Sequence, residues 1–170
     1  MMELIKRLKD DATAKGLCRL WQGKLKPGLS THALIRLYIS GLDFCVCEDF
    51  PTLDFLREYF KGVSEPYGVY IDDDIVELVN RPDTVLNGSC KAFLEYSGYS
   101  VCRVFARHTS KASVCVSDHA IVTIDAFDNT DIVVSTAGIN SQLTVNLYGK
   151  ARAECIGSGI TVRKYNKITY

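Results

Sequence analysis

The feature that most constrains this chain is a spacing. Between residues 102 and 156, small apolar side chains return at intervals close to twenty. Cys102, Val104 and Ala106 recur as Val122, Ile124 and Ala126 (122 − 102 = 20), and these recur as Leu143, Val145 and Leu147 (143 − 122 = 21). A second series keeps the same phase, from Ala112 and Val114 to Ile132 and Val134 and on to Ala153 and Cys155. Ala92, Leu94 and Tyr96 carry it backward (112 − 92 = 20). Two alternating strands per period, held in register, predict the coils of a solenoid. One such coil cannot bury its own apolar side chains, whereas stacked coils share them as ladders between paired strands. An antiparallel sandwich or jelly roll also yields short alternating strands. It does not require register between strands a full period apart, so the in-phase returns favour the parallel β-helix.

Residues 1–62 read as helical. Leu4, Ile5 and Leu8 share one helical face, with Lys6, Lys9, Asp10 and Asp11 opposite. Leu17, Cys18, Leu20 and Trp21 form a second apolar cluster between Gly16 and Pro27. Ser30 and Thr31 are candidate N-caps for a helix through Leu34, Ile35, Tyr38 and Ile39 that Gly41 ends. Thr52, after Pro51, caps a segment carrying Leu53, Phe55, Leu56, Tyr59 and Phe60 that Gly62 closes. Three or four short helices result. Between Gly68 and Pro82, the run Val69, Ile71, Ile75, Val76, Leu78 and Val79 predicts one or two strands, joined by the turn Asp72, Asp73, Asp74.

The expected fold class is therefore α+β, with an N-terminal short-helix region, residues 1–62, capping a C-terminal short parallel β-helix, residues 63–170, built from coils of about 20 residues. Solenoid ends are open sheet edges unless something covers them. The helices are the expected lid on the first coil. At the other end Ile160 and Val162 start an incomplete coil, and Arg163, Lys164, Tyr165, Asn166 and Lys167 read as a cap or a protomer contact.

Composition narrows the function. Twenty Lys+Arg balance twenty Asp+Glu, which leaves no long-range field to steer the chain to nucleic acid, and no nucleic-acid partner is expected. The first residues interleave charges with apolar side chains in a way a secretory signal does not, and no stretch approaches the roughly 18 apolar residues of a membrane span. A chain made in a cytoplasm is expected, with no membrane partner. Of seven cysteines, Cys102 and Cys155 occupy slots that other coils fill with Val or Leu, which favours reduced, buried thiols over a disulfide framework. Cys45 and Cys47 form C-x-C without the second pair of a zinc knuckle.

Four constellations could carry chemistry. His108 and Asp128 lie one period apart with Ser110 nearby, a set that invites a hydrolase reading, although polar residues of this kind also make corners. His119 follows Asp118 in another turn. Polysaccharide-active β-helices need paired carboxylates on an outward face; here the ladders Arg103, Thr123, Thr144 and Phe105, Asp125, Asn146 hold one acid. Asp72, Asp73 and Asp74 lack the following Gly and distal Glu of a calcium loop, and no phosphate-cradling glycine motif occurs. No catalytic residue, cofactor or metal is expected; a small-molecule ligand stays open.

Arg107, Phe127 and Tyr148 align across three coils (127 − 107 = 20; 148 − 127 = 21). Facing outward, they make a cation-aromatic stripe for a partner; facing a helix or another subunit, they are packing. These three are the candidate partner-contact residues.

At Gly41-Leu42-Asp43-Phe44-Cys45, Tyr99-Ser100-Val101 and Phe105-Ala106-Arg107-His108-Thr109-Ser110 the chain resembles uncharacterised small proteins encoded by phages and prophages of gut bacteria. The resemblance covers most of the chain and carries no active-site signature. It implies a phage-associated protein, set in the host bacterial cytoplasm or the phage virion, with a helical start and a repetitive β tail. The coil pattern is also similar to the β domains of bacterial adhesin heads, which act as stiff display surfaces. The expected function is thus a non-enzymatic structural or protein-interaction module that self-associates or binds a partner. A phage effector that blocks a host protein or sequesters a small molecule is the alternative, and a polysaccharide-active enzyme is a more distant one.

Overall fold

Side-chain caps set where the helices begin. In the computed structural model, which describes residues 2–74, 76–138 and 140–170, Ser30 Oγ accepts from the Ala33 amide at 3.2 Å and opens α3 (Thr31–Ser40). Thr52 Oγ1 accepts from the Phe55 amide at 3.4 Å and opens α5 (Leu53–Tyr59). These bonds satisfy donors that a helix start otherwise leaves orphaned. α1 (Met2–Ala14) buries Ile5, Leu8 and Ala12 along one stripe, as its spacing predicts. Two short helices complete the set, α2 (Arg19–Gln22) and α4 (Leu42–Cys47). Five helices form rather than three or four, because the chain turns at Gly41 and starts a new helix at once. A 3-10 turn at Glu65–Tyr67 follows, so the helical unit runs through Tyr67, a few residues beyond the expected boundary.

The second unit, Gly68–Thr169, is a parallel β-solenoid of about five turns. β1 (Val69–Ile71), β3 (Asp83–Asn87), β5 (Val101–Ala106), β7 (Ile121–Ala126), β9 (Gln142–Leu147) and β11 (Ile160–Lys164) form one six-stranded sheet in that order. β2 (Val76–Val79), β4 (Lys91–Tyr96), β6 (Lys111–Ser117), β8 (Asp131–Ala137) and β10 (Arg152–Ile156) form the other. Every neighbour is parallel, and the pairings match the sequence arithmetic: Val104 pairs with Ile124 and Ile124 with Val145, while Val114 pairs with Val134 and Val134 with Cys155. Ile75, expected in the first strands, lies outside the described residues. The strand β3 is an addition to the expected set; it places Leu86 beneath Ala106 and starts the ladders one coil earlier.

Inward side chains of successive coils form one core, running from Val76 and Leu86 through Val104, Val114, Ile124 and Ile132 to Val145 and Leu147. Alternation along each strand sends the intervening residues outward. The corners repeat as strictly as the strands. Asp72, Gly88, His108, Asp128 and Gly149 all adopt positive φ between +51° and +75°, and Asn80, Gly98, Asp118 and Gly138 do so between +50° and +94°. That region favours glycine, then Asn, Asp and His, which explains why these residue types recur there. Side chains at these corners cap a neighbouring coil: Asn80 Oδ1 accepts from Ser97 N–H (2.8 Å) in the coil after, whereas Asp118 Oδ2 accepts from Gly98 N–H (2.9 Å) and Asp128 Oδ2 from His108 N–H (2.8 Å) one coil back.

Candidate interaction surface

The last turn of the solenoid is where the ladders stop. β11 is the final strand of the six-stranded sheet and β10 of the five-stranded one, so each has a strand on one side only. Outer N–H and C=O groups of such an edge are a template for another strand. Inward slots continue onto this turn: Ala153 sits on Ile132, Cys155 on Val134, Ile160 on Leu143, Val162 on Val145 and Lys164 on Leu147. They are not sealed. Val145 is fully buried, but Val162 directly above it is 47 % exposed, and Cys155 is exposed.

This corrects the expectation of a buried Cys155. Its slot is apolar in phase, yet no coil lies beyond it. Cys102, with coils on both sides, is buried as expected, and all seven cysteines are free thiols. Cys18, Cys47 and Cys115 are exposed too. Partial desolvation first, and the charge of Glu154 second, push the Cys155 thiol above its ordinary value, so it stays protonated at neutral pH.

Up to Lys167, the tail stays on the corner side of the last coil. Tyr165 donates its amide to Leu147 O at 2.9 Å, Gly149 donates to Lys167 O at 3.0 Å, and the Tyr165 ring stacks on Tyr148 at 4.7 Å. The chain therefore follows the corner track of the coils below. Arg163, Lys164 and Lys167 are exposed there, as is Glu154; Arg152 is engaged by Asp131 at 2.8 Å.

The accessible stripe expected of Arg107, Phe127 and Tyr148 is not found. The three side chains are 3 %, 2 % and 5 % exposed. Phe127 and Tyr148 stack with centroids 4.9 Å apart and planes 12° from parallel, and Tyr165 extends the column by one ring. The alignment read from sequence is correct, but it builds a packed ring ladder. Phe105 is likewise buried, although its ladder was read as outward-facing surface. The other members of those ladders are spent locally: Arg103 pairs with Asp83 at 2.8 Å, and Asp125 accepts from Asn146 Nδ2 at 2.6 Å.

At the His108 corner, three of the atoms that suggest a hydrolase are engaged by the backbone. Asp128 accepts from the His108 main-chain amide, His108 Nδ1 accepts from Gly88 N–H at 3.0 Å, and Ser110 Oγ donates to Gly88 O at 3.1 Å. His108 and Asp128 do stack on successive coils, but the carboxylate does not orient the imidazole as a triad requires. His119 stacks on Tyr99 at 4.8 Å, and its Nε2 lies 3.1 Å from Asn140 Nδ2. The acidic turn diverges: Asp72 accepts from Ser89 N–H (2.9 Å), Asp73 from Ile71 N–H (3.1 Å), and Asp74 lies 3.6 Å from Lys91 Nζ. Among the described residues, no three His, Cys, Asp or Glu side chains converge on a common point. Cys45 is buried and Cys47 exposed, so C-x-C does not present two thiols together.

Two features escaped sequence reasoning. Outward on the five-stranded sheet, Val79, Phe93, Val133 and Ile156 are exposed, a thinly spread apolar face that the alternation of Lys91, Phe93 and Glu95 would have revealed. Within the helical unit, a cavity of about 260 Å³ is lined by Leu8, Trp21, Leu34, Phe44, Phe50 and Phe55 among others. Among the described residues no helix is long and apolar enough to cross a membrane. Comparisons with protein-family models, curated proteins and solved structures each find no match.

Proposed function

We propose that the chain is a non-enzymatic protein-interaction module whose docking surface is the uncovered last turn of the solenoid. The observation that carries this reading is the contrast within one ladder, where Val145 is sealed and Val162 above it is not. Edge strands with half-exposed apolar slots are stabilised by whatever completes them. The engagement of Asp128, His108 and Ser110 with main-chain groups supports a structural role for the one corner that resembles a catalytic set. The phage setting, as virion component or as a protein of the infected cytoplasm, rests on the resemblance in the sequence.

Amide hydrogen exchange on the isolated chain tests the reading. The amides of β11 that point away from β9 should exchange with little protection, while those of β7 exchange slowly. Strong protection across β11 in a monomer would mean that the turn is already covered, and the docking surface would be lost. A second reading, sequestration of a small molecule, is favoured by the cavity in the helical unit. Engineered cavities of about 150 Å³ hold benzene. Trp21, the chain's one tryptophan, lines the wall, so saturable quenching by a bicyclic aromatic compound would report occupancy.

A further inference from the structure

The chemistry of the last turn specifies more than an empty edge. The inward slot at the end of each strand in the six-stranded sheet holds Leu86, Ala106, Ala126 and Leu147 in successive coils, and then Lys164. A lysine in that slot opposes any further apolar layer, because an ammonium covered by hydrocarbon carries a desolvation cost that only an anionic neighbour offsets. Arg163 lies beside it on the outward side, and Lys167 follows on the corner track. Glu154 on β10 is an exposed acid at this end, whereas Arg152 and Asp131 are engaged with each other. The first part of β11 is different. Ile160 and Val162 continue the apolar ladder of Leu143 and Val145, with Thr161 between them.

We propose that β11 accepts an extended acidic segment of a partner protein as the next strand of the sheet. Apolar side chains of that segment lie over Ile160 and Val162, and its carboxylates meet Arg163 and Lys164. The proposal rests on reading the last turn as a docking surface and adds the partner's chemistry. Strand addition derives affinity from main-chain hydrogen bonds and specificity from alternate side chains, which suits an edge with an apolar half and a cationic half. A second copy fits less well. Two such ends brought together would gather Arg163, Lys164 and Lys167 of both copies into one interface, and like charges concentrated there oppose a pairing.

The test uses the full chain and two dye-labelled, end-blocked heptapeptides, an acidic one, Thr-Val-Thr-Val-Glu-Glu-Thr, and a basic one, Thr-Val-Thr-Val-Lys-Lys-Thr, followed by fluorescence anisotropy. The acidic peptide should bind saturably and about tenfold or more tighter than the basic one at low salt, with the gap closing as salt screens the exposed charges. The double variant Arg163→Glu/Lys164→Glu, checked for an unchanged circular dichroism spectrum, should reverse the order. Equal binding of both peptides, or acidic binding that the variant does not weaken, overturns the proposal and leaves the docking surface intact. A concentration-dependent dimer by light scattering that the acidic peptide does not dissociate also overturns it, in favour of a second copy. If neither peptide binds, the proposal fails; the docking reading fails with it only when the β11 amides of the free chain are found protected.

Discussion

The middle and the last turns of the solenoid are written in nearly the same residues and live in different environments. Val104, Ile124 and Val145 stand in one ladder and are fully buried; Val162 continues that ladder and is almost half exposed. Val134 is buried, and Cys155 above it is open to solvent. The side chains differ little in size or polarity, so the difference belongs to the neighbour above. In a one-dimensional stack, the stability of a coil is its own contribution plus the interfaces on either side. An inward position is therefore only potentially buried. The last turn, having one interface, is held less firmly than the turns below it.

The largest effect should come from placing the same charge in both places. Ile124→Asp puts a carboxylate where no solvent reaches and apolar neighbours lie on both sides, and it should cost about 4 kcal/mol or more, enough to unfold most of the solenoid. Val162→Asp should cost no more than about 0.5 kcal/mol, as surface substitutions do. Thr123→Asp, one residue from Ile124 but outward and next to Arg103, should be tolerated as well. Urea denaturation followed by far-ultraviolet circular dichroism reads all three. If Ile124→Asp and Thr123→Asp behave alike, the inward and outward assignment is wrong. If Val162→Asp behaves like Ile124→Asp, the last turn is covered after all.

A gentler probe of the sealed interior is the ionisation of Tyr96, which is fully buried in β4. Burial, the dominant cause, pushes its hydroxyl up to about 12 from an ordinary value near 10. The neutral phenol is the form that the fold prefers. Below pH 10 folded and unfolded chains are both protonated at this position, and the preference has its full effect. As pH rises toward 12, the unfolded chain releases the proton while the folded chain holds it, so stability falls. The loss should amount to roughly 2–3 kcal/mol across that window. Tyr96→Phe should remove this component of the alkaline transition. An unchanged alkaline slope in Tyr96→Phe would mean that another group governs it and that the middle of the tube is less dry than its burial indicates.

How much of this was legible in the sequence follows from what periodicity encodes. The slots at 102, 104 and 106 and their successors were readable because strand alternation and coil length are both written in residue order. The corner residues were readable as polar turns, and their left-handed backbone explains the choice of Asp, Asn, His and Gly. β3 was missed because Thr84 fills an inward slot and Asn87 is buried, which breaks the expected apolar alternation. α4 was missed because the run Leu42, Asp43, Phe44, Cys45, Val46, Cys47 has too little polar surface to show a helical face. Phase says which residues share a ladder and not what lies over them. For that reason the alignment of Arg107, Phe127 and Tyr148 left outward stripe and packing as equal readings, and Cys155 was placed in the right slot and read as buried. The last turn was half visible, as an incomplete coil with a basic end.

The smallest expected effect compares two ring contacts in one column, one inside and one at the end. Phe127 and Tyr148 are both buried with centroids 4.9 Å apart; Tyr148 and Tyr165 stack at 4.7 Å with planes 6° from parallel, but Tyr165 is only half-buried. Offset-stacked pairs contribute about 0.5–1.5 kcal/mol beyond the area they bury. Double-mutant cycles isolate that component, since single substitutions to leucine keep apolar bulk in place while removing the ring. The Phe127–Tyr148 cycle should give a coupling near the upper part of that range, and the Tyr148–Tyr165 cycle one near its lower limit, because water competes for the outer ring and the last turn opens more readily. Geometry alone predicts the opposite order, since the outer pair is the closer and the more parallel. Equal couplings would therefore show that ring geometry outweighs position in the stack, and the contrast between middle and end would then be confined to the strands.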